Sequence, residues 1–321
     1  MKRNSGHKKA GVIPAKAGVR CDAVAKKMDP RFRGDDAERQ GENSGLLVAL
    51  NQLPPLRETI KQHGLMAHKA LGQHFLLDLN LTQRIVKMAG DLSDCTVFEI
   101  GPGPGGLTRP LLASTAKHII AIEKDRRCVG ALAELVEISE GKLEIVEGDA
   151  LKIDLEKLSS APRAIVANLP YNVGTPMLLN WIKQVGCFRS MTLMFQSEVV
   201  DRLIAPAGGK AYGRLSVIAQ SCCNMKRVMS LPAKAFTPPP KVDSAVIYIT
   251  PKADRPSDEI ISALEKITAA AFGQRRKMLR SSLKVLGGEE LLIKANIRPE
   301  QRAEELSVEE FKRLAICYLA G

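Results

Sequence analysis

The sequence predicts an α/β protein in which helices cover both faces of a parallel sheet and a small C-terminal all-α domain follows. Two observations support this prediction. Short, fully apolar runs ending in a polar residue or glycine alternate with segments of helical spacing, and residues 256–321 show helical spacing throughout. Strands buried on both faces read as continuous apolar runs, so their alternation with helices favours parallel pairing.

The elements follow one another in a regular order. Two helices are predicted first, over residues 53–64 and 79–90. The predicted strands are TVFEIG (96–101), HIIAIE (118–123), LEIVEGD (143–149), RAIVANLP (163–170), MTLMFQ (191–196), 225–231 and 242–250. The predicted helices between strands are 105–116, 126–139, 176–185 and 213–222, and 150–160 is a shorter link.

The composition is that of an ordinary globular protein. The chain has 321 residues, 45% of them hydrophobic and 26% charged, which excludes a collagen, a fully disordered chain and a disulfide scaffold. Its apolar runs are shorter than the roughly 18 residues that cross a membrane. A net charge of +12 favours an anionic partner such as a phosphate backbone.

The cysteines and histidines predict neither a metal site nor a disulfide framework. No two of the seven cysteines form a C-x-x-C pair, and the five histidines show no ligand spacing. The odd cysteine count favours buried thiols in a reducing compartment. The basic start is not followed by the apolar segment of a secretory signal, so we expect a cytoplasmic protein.

Residues 1–45 differ from the rest of the chain. They carry 11 basic and 6 acidic side chains and little apolar periodicity, so we predict a disordered, dispensable extension. A basic RNA-binding tail is the alternative. We expect the α/β domain to span residues 46–252 and the helical domain residues 256–321, joined by PKADRPSD near 251–258.

A glycine-rich loop, FEIGPGPGGLT, closes the first strand of the predicted sheet. Gly101, Gly103 and Gly106 satisfy the dinucleotide pattern G-x-G-x-x-G, whereas Gly101, Gly103 and Gly105 satisfy the G-x-G-x-G pattern of S-adenosylmethionine-binding loops. Glycine lets the backbone approach a ligand without a Cβ clash. The loop therefore predicts a nucleoside ligand and leaves the choice between the two open.

Acidic residues at strand ends favour S-adenosylmethionine. Glu123 ends the second strand, where a carboxylate accepts hydrogen bonds from ribose hydroxyls in both ligand classes. Asp149 ends the third strand, within reach of an adenine amino group, and Glu99 in the first strand can steer the loop or a methionine ammonium. These acids suit a sulfonium cation and disfavour a pyrophosphate.

The tetrapeptide Asn168-Leu169-Pro170-Tyr171 ends the fourth strand and predicts methyl transfer to an exocyclic adenine nitrogen. The amide oxygen of Asn168 and the carbonyl of Leu169 are acceptors for the amino hydrogens of such a base. Pro170 makes the turn rigid, and the ring of Tyr171 offers a face on which the base can stack. Catalysis would then rest on positioning and electrostatics.

In these motifs the chain closely resembles the KsgA/RsmA family of ribosomal RNA adenine dimethyltransferases, which is related to the Erm enzymes. The resemblance runs from about Leu53 to residue 318. It is carried by KALGQHFLLD, EIGPGPGGLT, GDA, NLPYN, KAYGRLSV, FTPPPKVDSAV and AFGQRRKMLRSSL. It implies a Rossmann-like class I methyltransferase domain that uses S-adenosylmethionine, followed by the small helical domain.

The resemblance also implies site residues. The implied contacts with S-adenosylmethionine are His74, Leu76, Gly101, Glu123, Asp149 and Asn168. The family usually has asparagine at position 74, in GQNFL, and this chain has histidine, so the implied contact there runs through the backbone. Phe236 and the prolines 238–240 are expected to border the base pocket, although Phe236 suits a core position equally well.

A basic segment, GQRRKMLRSSLK, predicts an RNA-binding surface. Its basic residues are Arg275, Arg276, Lys277, Arg280 and Lys284, with no acid among them. We predict that Arg276, Arg280 and Lys284 form a row along one helix face and follow phosphates. Lys210 and Arg214 are expected to add positive charge near the mouth of the active site.

The resemblance implies the substrate and leaves rivals to be tested. The implied reaction is N6 dimethylation of two adjacent adenosines in the 3′-terminal hairpin loop of 16S rRNA, by a monomer acting in small-subunit biogenesis. An Erm-type enzyme acting on 23S rRNA is the nearest alternative. An NAD-dependent oxidoreductase and an assembly factor that only binds RNA are more distant, since the Asn168–Tyr171 turn disfavours both.

Overall fold

The computed structural model describes residues 45–65 and 73–321. All of these residues fall within one compact unit. The predicted extension over residues 1–45 lies outside the described residues except for its last position. Residues 66–72 also lie outside them.

Helices and strands alternate in the described residues as predicted. The strands are β1 (Phe75–Leu76), β2 (Thr96–Ile100), β3 (His118–Glu123), β4 (Leu143–Glu147), β5 (Arg163–Asn168), β6 (Ser190–Gln196), β7 (Cys223–Leu231), β8 (Phe236–Thr237) and β9 (Ser244–Pro251). The helices are α1 (45–52), α2 (Leu56–Gln62), α3 (Leu79–Lys87), α4 (Thr108–Leu112), α5 (Arg126–Ala131), α6 (Ala133–Ile138), α7 (Gly174–Lys183), α8 (Ser197–Ile204), α9 (Arg214–Cys222), α10 (Asp258–Gly273), α11 (Leu279–Ser282), α12 (Gly288–Lys294) and α13 (Val308–Leu319).

The central sheet has the order β4-β3-β2-β5-β6-β9-β7 among the described strands. Strands β2 to β6 pair in parallel, as predicted. Strand β9 differs, because it pairs antiparallel with both β6 and β7. Residues 232–243 join β7 to β9 and contain β8 but no α-helix, whereas parallel neighbours are usually joined by a crossover helix. The sheet is therefore mixed, not wholly parallel.

Helices pack on both faces of the sheet, which gives a Rossmann-like α/β architecture. Successive residues of β2 point to opposite faces. Phe98 joins a core that includes Trp181 of α7 and Ile218 of α9. Val97 joins a second core that includes Ile85 of α3 and Leu111 of α4. Strand β2 is thus buried from both sides, which explains its largely apolar sequence, whereas β4 at one edge of the sheet and β7 at the other are only partly buried.

The C-terminal helices α10 to α13 form a third core. Their buried side chains include Leu264, Leu292 and Phe311, and the core also takes in Tyr212 and Val217 from the segment around α9. The boundary predicted between residues 252 and 256 precedes this helical layer and remains a prediction.

Several elements differ from the sequence prediction. Helix α8 is not predicted by the sequence pattern, and the predicted helix 126–139 is interrupted at Leu132, shortly after Gly130, whose helix propensity is low. The segment containing Arg276 is a turn between α10 and α11. No helix of the described residues is long and apolar enough to cross a membrane.

Candidate active site

A cavity of about 250 Å³ opens at the carboxyl edge of the parallel strands. Gly101 follows β2, Glu123 ends β3, Asp149 follows β4, and Asn168 ends β5, and all four line this cavity. Parallel strands present their carboxyl ends at the same edge of a sheet, where α/β proteins bind ligands. The structure therefore brings together four residues that were predicted separately, each from the end of a different strand.

The glycine loop has the backbone geometry that requires glycine. Gly101 has a φ of +68° and Gly103 a φ of +56°, and residues that have a side chain rarely adopt such values. Gly106 is required for space, because a Cβ there would lie 2.5 Å from the carbonyl oxygen of Leu76. The loop thus packs directly against β1, and that contact fixes its path beside the cavity.

The carboxylate of Glu123 holds the glycine loop in place. Its Oε2 accepts from the amide of Gly103 at 3.0 Å, and its Oε1 accepts from the amides of Lys124 and Asp125 at 2.8 Å each. Burial raises the pKa of Glu123, while these backbone amides oppose the increase. Each carboxylate oxygen has two lone pairs, so Glu123 keeps acceptor capacity toward the cavity.

Asp149 is paired with a lysine that the sequence did not single out. Lys124 Nζ lies 2.9 Å from Asp149 Oδ2, and the amide of Leu151 donates to Asp149 Oδ1 at 3.1 Å. The hydrogen bond from Lys124 is the main cause that lowers the pKa of Asp149. The carboxylate is therefore charged and fixed in orientation at the wall of the cavity.

Glu99 is buried beside the glycine loop. Its side chain is 1% exposed, and neither carboxylate oxygen has a hydrogen-bond partner in the described part of the chain. Burial is the main cause that raises the pKa of Glu99 to about 8; the nearby hydroxyl of Thr108 opposes the increase, although it does not meet hydrogen-bond geometry, and the charge of Glu123 adds to it. Glu99 lines a small cavity of about 30 Å³ that shares Phe75, Gly101 and Asn168 with the larger one.

Asn168 is oriented by the main chain of His74. Its amide nitrogen Nδ2 donates to the carbonyl oxygen of His74 at 3.0 Å. The amide oxygen Oδ1 is therefore left to accept hydrogen bonds, which is the role the sequence predicted. Leu169, Pro170 and Tyr171 follow in the same cavity wall, so the four residues of this turn lie together.

Tyr171 is held from two directions. Its hydroxyl lies 2.6 Å from the hydroxyl of Ser244, a buried residue at the start of β9. Its ring lies against the His74 ring, with 5.2 Å between the centroids and 31° between the planes. Sequence reasoning missed Ser244, although it belongs to the FTPPPKVDSAV motif.

The two remaining predicted cofactor contacts have different surroundings. His74 lines the main cavity, and its Nδ1 lies 2.8 Å from the carbonyl oxygen of Pro238. Leu76 lies instead beside the small cavity next to Glu99. Leu76 pairs with Phe236 across β1 and β8, and Phe236 is 2% exposed, so Phe236 is a core residue.

The basic segment does not form the predicted row. The chain turns over residues 274–278, α11 starts at Leu279, and Lys284 lies in a separate short 3-10 turn. Arg276, Arg280 and Lys284 therefore do not share one helix face. The reason is tertiary: the amides of Leu279 and Arg280 bond to the carbonyls of Gln301 and Pro299, which interrupts the helix.

The five basic residues also differ in their pairing. Arg275 donates to the carbonyl of Lys210 at 2.9 Å and lies 3.6 Å from Glu304, and Arg280 lies 3.7 Å from Glu300. Arg276, Lys277 and Lys284 are exposed and form no ion pair with any described residue. The exposed charge is thus concentrated at the turn and at Lys284.

Comparisons with known proteins point to a family of RNA-modifying enzymes. The sequence profile described as "Ribosomal RNA adenine dimethylase" matches residues 64–319. A "Ribosomal RNA small subunit methyltransferase A" of Sinorhizobium fredii is 56% identical over 276 residues, 85% of this chain and 93% of that protein. One of Allorhizobium ampelinum with the same name is 57% identical over 273 residues, 84% and 99% of the two chains.

Solved structures share the fold. A dimethyladenosine transferase from Plasmodium falciparum has a TM-score of 0.66 and 27% identity, and the match covers 75% of this chain and 96% of that one. The 23S rRNA methyltransferase ErmE has a TM-score of 0.60 and 24% identity, with 76% and 98% of the two chains covered. The second likeness is one of fold.

Proposed function

The chain belongs to the ribosomal RNA adenine dimethylase family and is a methyltransferase, and we propose that it dimethylates N6 of two adjacent adenosines in 16S rRNA. The proposed target is the 3′-terminal hairpin loop of the small ribosomal subunit, modified in the cytoplasm during subunit biogenesis by a monomer. The observation that carries the proposal is Asn168. Its amide is turned by His74 so that Oδ1 can accept from an amino group beside the glycine loop.

S-adenosylmethionine fits the groups that line the cavity. The buried carboxyl of Glu99 has no hydrogen-bond partner among the described residues, and a cationic group of a ligand beside it would lower its raised pKa and favour its charged form. Glu123 and Asp149 offer acceptors for ribose hydroxyls and an adenine amino group, while the charge of Lys124 is balanced by Asp149. A sulfonium cofactor suits this acidic wall better than a pyrophosphate does.

Two groups of residues would hold the cofactor and the base. Gly101, Glu123 and Asp149 would bind the cofactor, together with the backbone at His74 and with Leu76 and Asn168. S-adenosylmethionine, when bound, supplies a methyl group activated by its positively charged sulfur. On the base side, Tyr171 would stack on the target adenine.

The chain activates the nitrogen through its acceptors. The N6 lone pair of adenine is delocalised into the ring, which makes the nitrogen a poor nucleophile. In the first transfer Asn168 Oδ1 and the carbonyl of Leu169 would each bind an N6 hydrogen and favour a more tetrahedral nitrogen with its lone pair available. In the second transfer one of them would bind the single N6 hydrogen that remains. These acceptors are preorganised by Pro170 and by the bond from Asn168 to His74, so little reorganisation is needed during the reaction.

RNA binding is proposed for the exposed basic residues near the start of the helical layer. Arg275, Arg276, Lys277, Arg280 and Lys284 remain the proposed set, although they form a turn with two short helical segments and not one row. Arg275 joins this turn to the loop at Lys210, which connects the proposed RNA surface with the segment that leads into α9.

The test is methyl transfer from labelled S-adenosylmethionine to small subunits isolated from cells that lack this modification. Mapping of the labelled nucleotides should show two adjacent dimethylated adenosines in the 3′-terminal hairpin loop. Equal amounts of unmodified large subunits serve as the comparison. Labelling of the large subunit would favour the Erm-type alternative, and tight subunit binding without transfer would favour an assembly factor.

A further inference from the structure

His74 contacts two different parts of the active site, one through its main chain and the other through its side chain. Its main-chain carbonyl oxygen accepts from Asn168, 3.0 Å away, on the β5 side of the cavity. Its imidazole Nδ1 lies 2.8 Å from the carbonyl oxygen of Pro238, which directly follows β8. A carbonyl oxygen only accepts hydrogen bonds, so Nδ1 carries the hydrogen and donates it. The His74 side chain is therefore hydrogen-bonded to the proline segment, residues 238–240.

The pairing of β1 with β8 places His74 beside Pro238. Phe75 lies opposite Thr237 and Leu76 opposite Phe236 in an antiparallel register, so residue 74 comes next to residue 238. Proline has no amide hydrogen, so Pro238 cannot donate to the carbonyl of His74, and that carbonyl accepts from Asn168 instead. The imidazole of His74 satisfies the carbonyl of Pro238 at the point where the ladder ends.

The same ring also supports Tyr171. The His74 and Tyr171 rings lie 5.2 Å apart at 31°, and the Tyr171 hydroxyl is held by Ser244 at 2.6 Å. Tyr171 is thus bounded by one contact at its hydroxyl and one on its ring. Displacement of the His74 ring would free the tyrosine ring to tilt while its hydroxyl stays bound.

We propose that the His74 side chain is a positioning residue for the target base: it fixes the distance between the Tyr171 ring and the proline segment that begins at Pro238. This inference rests on the proposed function, because it assumes that Tyr171 stacks on the adenine. It assigns the imidazole to the RNA side of the site. Only the main chain of His74, through Asn168, serves the cofactor side.

Two substitutions of matched shape separate the hydrogen bond from simple packing. In asparagine, Nδ2 stands as many bonds from Cα as Nδ1 does in histidine, so His74→Asn keeps a donor for Pro238. His74→Leu places an apolar carbon at that position. Neither substitution alters the main-chain carbonyl that binds Asn168. Thermal melts and calorimetric titration with S-adenosylhomocysteine check that each variant is folded and binds the cofactor product.

The measurement is the KM for small subunits and kcat at saturating S-adenosylmethionine. We expect His74→Leu to raise KM about tenfold, which corresponds to roughly 1.4 kcal/mol, with a smaller effect on kcat. His74→Asn keeps a donor for Pro238 but lacks the ring that contacts Tyr171, so it should recover only part of the loss. The affinity for S-adenosylhomocysteine should stay within about twofold of the parent in both variants, since neither removes the main-chain contact.

A double-mutant cycle with Tyr171→Ala tests whether His74 acts through the tyrosine. If it does, His74→Leu should change KM much less when Tyr171 is already absent, because coupled residues are not additive. Equal effects in both backgrounds, or a parallel loss of S-adenosylhomocysteine binding, would overturn the inference. Failure of the parent to methylate adenosine while binding the product analogue would instead refute the proposed function, so the two failures are distinguishable.

Discussion

The side-chain amide of Asn168 is hydrogen-bonded to the main-chain carbonyl of His74, with 3.0 Å between Nδ2 and O. This bond engages the nitrogen end of the amide and leaves Oδ1 as an acceptor. Because the nitrogen is used by His74, the oxygen is the atom left for a substrate amino group. The catalytic role proposed for Asn168 therefore depends on a contact between residues 94 positions apart in the chain.

The first prediction concerns turnover at Asn168. Asn168→Ala removes one acceptor and leaves the Leu169 carbonyl in place, so the rate should fall on the order of 100-fold, with a much smaller change in RNA affinity. Single-turnover rates at saturating S-adenosylmethionine and small subunit measure this effect. Cofactor affinity is measured separately by calorimetry.

Asn168→Asp provides the control for the orientation of the amide. It keeps the size and an acceptor but loses the donor to His74 and adds a negative charge, so we expect partial activity, above that of the alanine variant. If Asn168→Ala transfers methyl groups as fast as the parent under single-turnover conditions, the catalytic assignment is wrong.

A second prediction follows from the buried carboxyl of Glu99. Its pKa is raised from 4.5 to about 8 by burial. Between these two values the folded protein holds a proton that the unfolded chain releases, so stability falls as the pH rises through this window. The slope from this group approaches about 1.4 kcal/mol per pH unit, on the order of a few kcal/mol over the whole window.

The variant Glu99→Gln tests this sign. A glutamine cannot ionise. The melting temperature of the variant minus that of the parent should therefore increase as the pH rises from about 5 to about 8. The change with pH is the measured quantity, because any constant cost of burying an amide cancels in it. A difference between the two proteins that is independent of pH would contradict the prediction.

A third prediction concerns the glycine loop and distinguishes two reasons for a glycine at position 101: the strain of its backbone conformation and the space that a bound ligand needs. Gly101 has a φ of +68°, and a Cβ at this position would have no atom of the described chain within 4 Å, so it would point into open space at the cavity. Gly90 has a φ of +77° and is equally uncrowded. Gly101→Ala and Gly90→Ala should each lose about 1–2 kcal/mol of stability through backbone strain.

These two variants should differ in ligand binding. Only Gly101→Ala should weaken S-adenosylmethionine binding, because its methyl group occupies space beside the proposed ligand. Chemical denaturation gives the stabilities, and calorimetry gives the affinities. Equal affinities in the two variants would show that the chain needs Gly101 for the turn and not for the approach of a ligand.

The fourth prediction concerns the basic turn. Arg276 and Lys277 are exposed and form no ion pair with a described residue, so they are available to phosphates. Replacing both residues with alanine should make subunit binding less dependent on salt. In a plot of the logarithm of the binding constant against the logarithm of the salt concentration, the magnitude of the slope should fall by roughly 0.7–0.9 for each phosphate that is no longer neutralised. Cofactor affinity should be unchanged, since neither residue lines the cavity.

A matched pair of lysines provides the control for net charge. Lys87 ends α3 and Lys117 precedes β3 at the amino edge of the sheet, opposite the cavity edge, and both are exposed. Replacing both with alanine removes the same two charges and should leave the slope nearly unchanged. An equal reduction in both double variants would mean that binding depends on total charge and not on this surface.

Much of the fold and site was predictable because the information is local. Apolar runs that end in Gly101, Glu123, Asp149 and Asn168 predict strands, and alternation with helices predicts that these strands are parallel. Parallel strands then bring their carboxyl ends to one edge, so the sequence predicts that these four residues meet. The structure confirms that they line one cavity.

The basic segment marks where local reasoning failed. A spacing of four residues predicts one helix face for Arg276, Arg280 and Lys284, and nothing within the segment contradicts it. The helix is interrupted because the amides of Leu279 and Arg280 find partners beyond α12 in the chain. The antiparallel direction of β9 was likewise undetermined, since an apolar run looks the same in either direction.

The order and type of most elements, the glycine loop, the acidic strand ends and the Asn168–Tyr171 turn could all be predicted, since each depends on neighbouring residues. The fold of the whole chain was needed to show that the His74 side chain reaches Pro238, 164 positions away, and that Ser244 holds Tyr171. The physical reason is that a side chain's partners depend on which segments the whole chain brings within hydrogen-bonding distance. Local spacing carries no information about that distance.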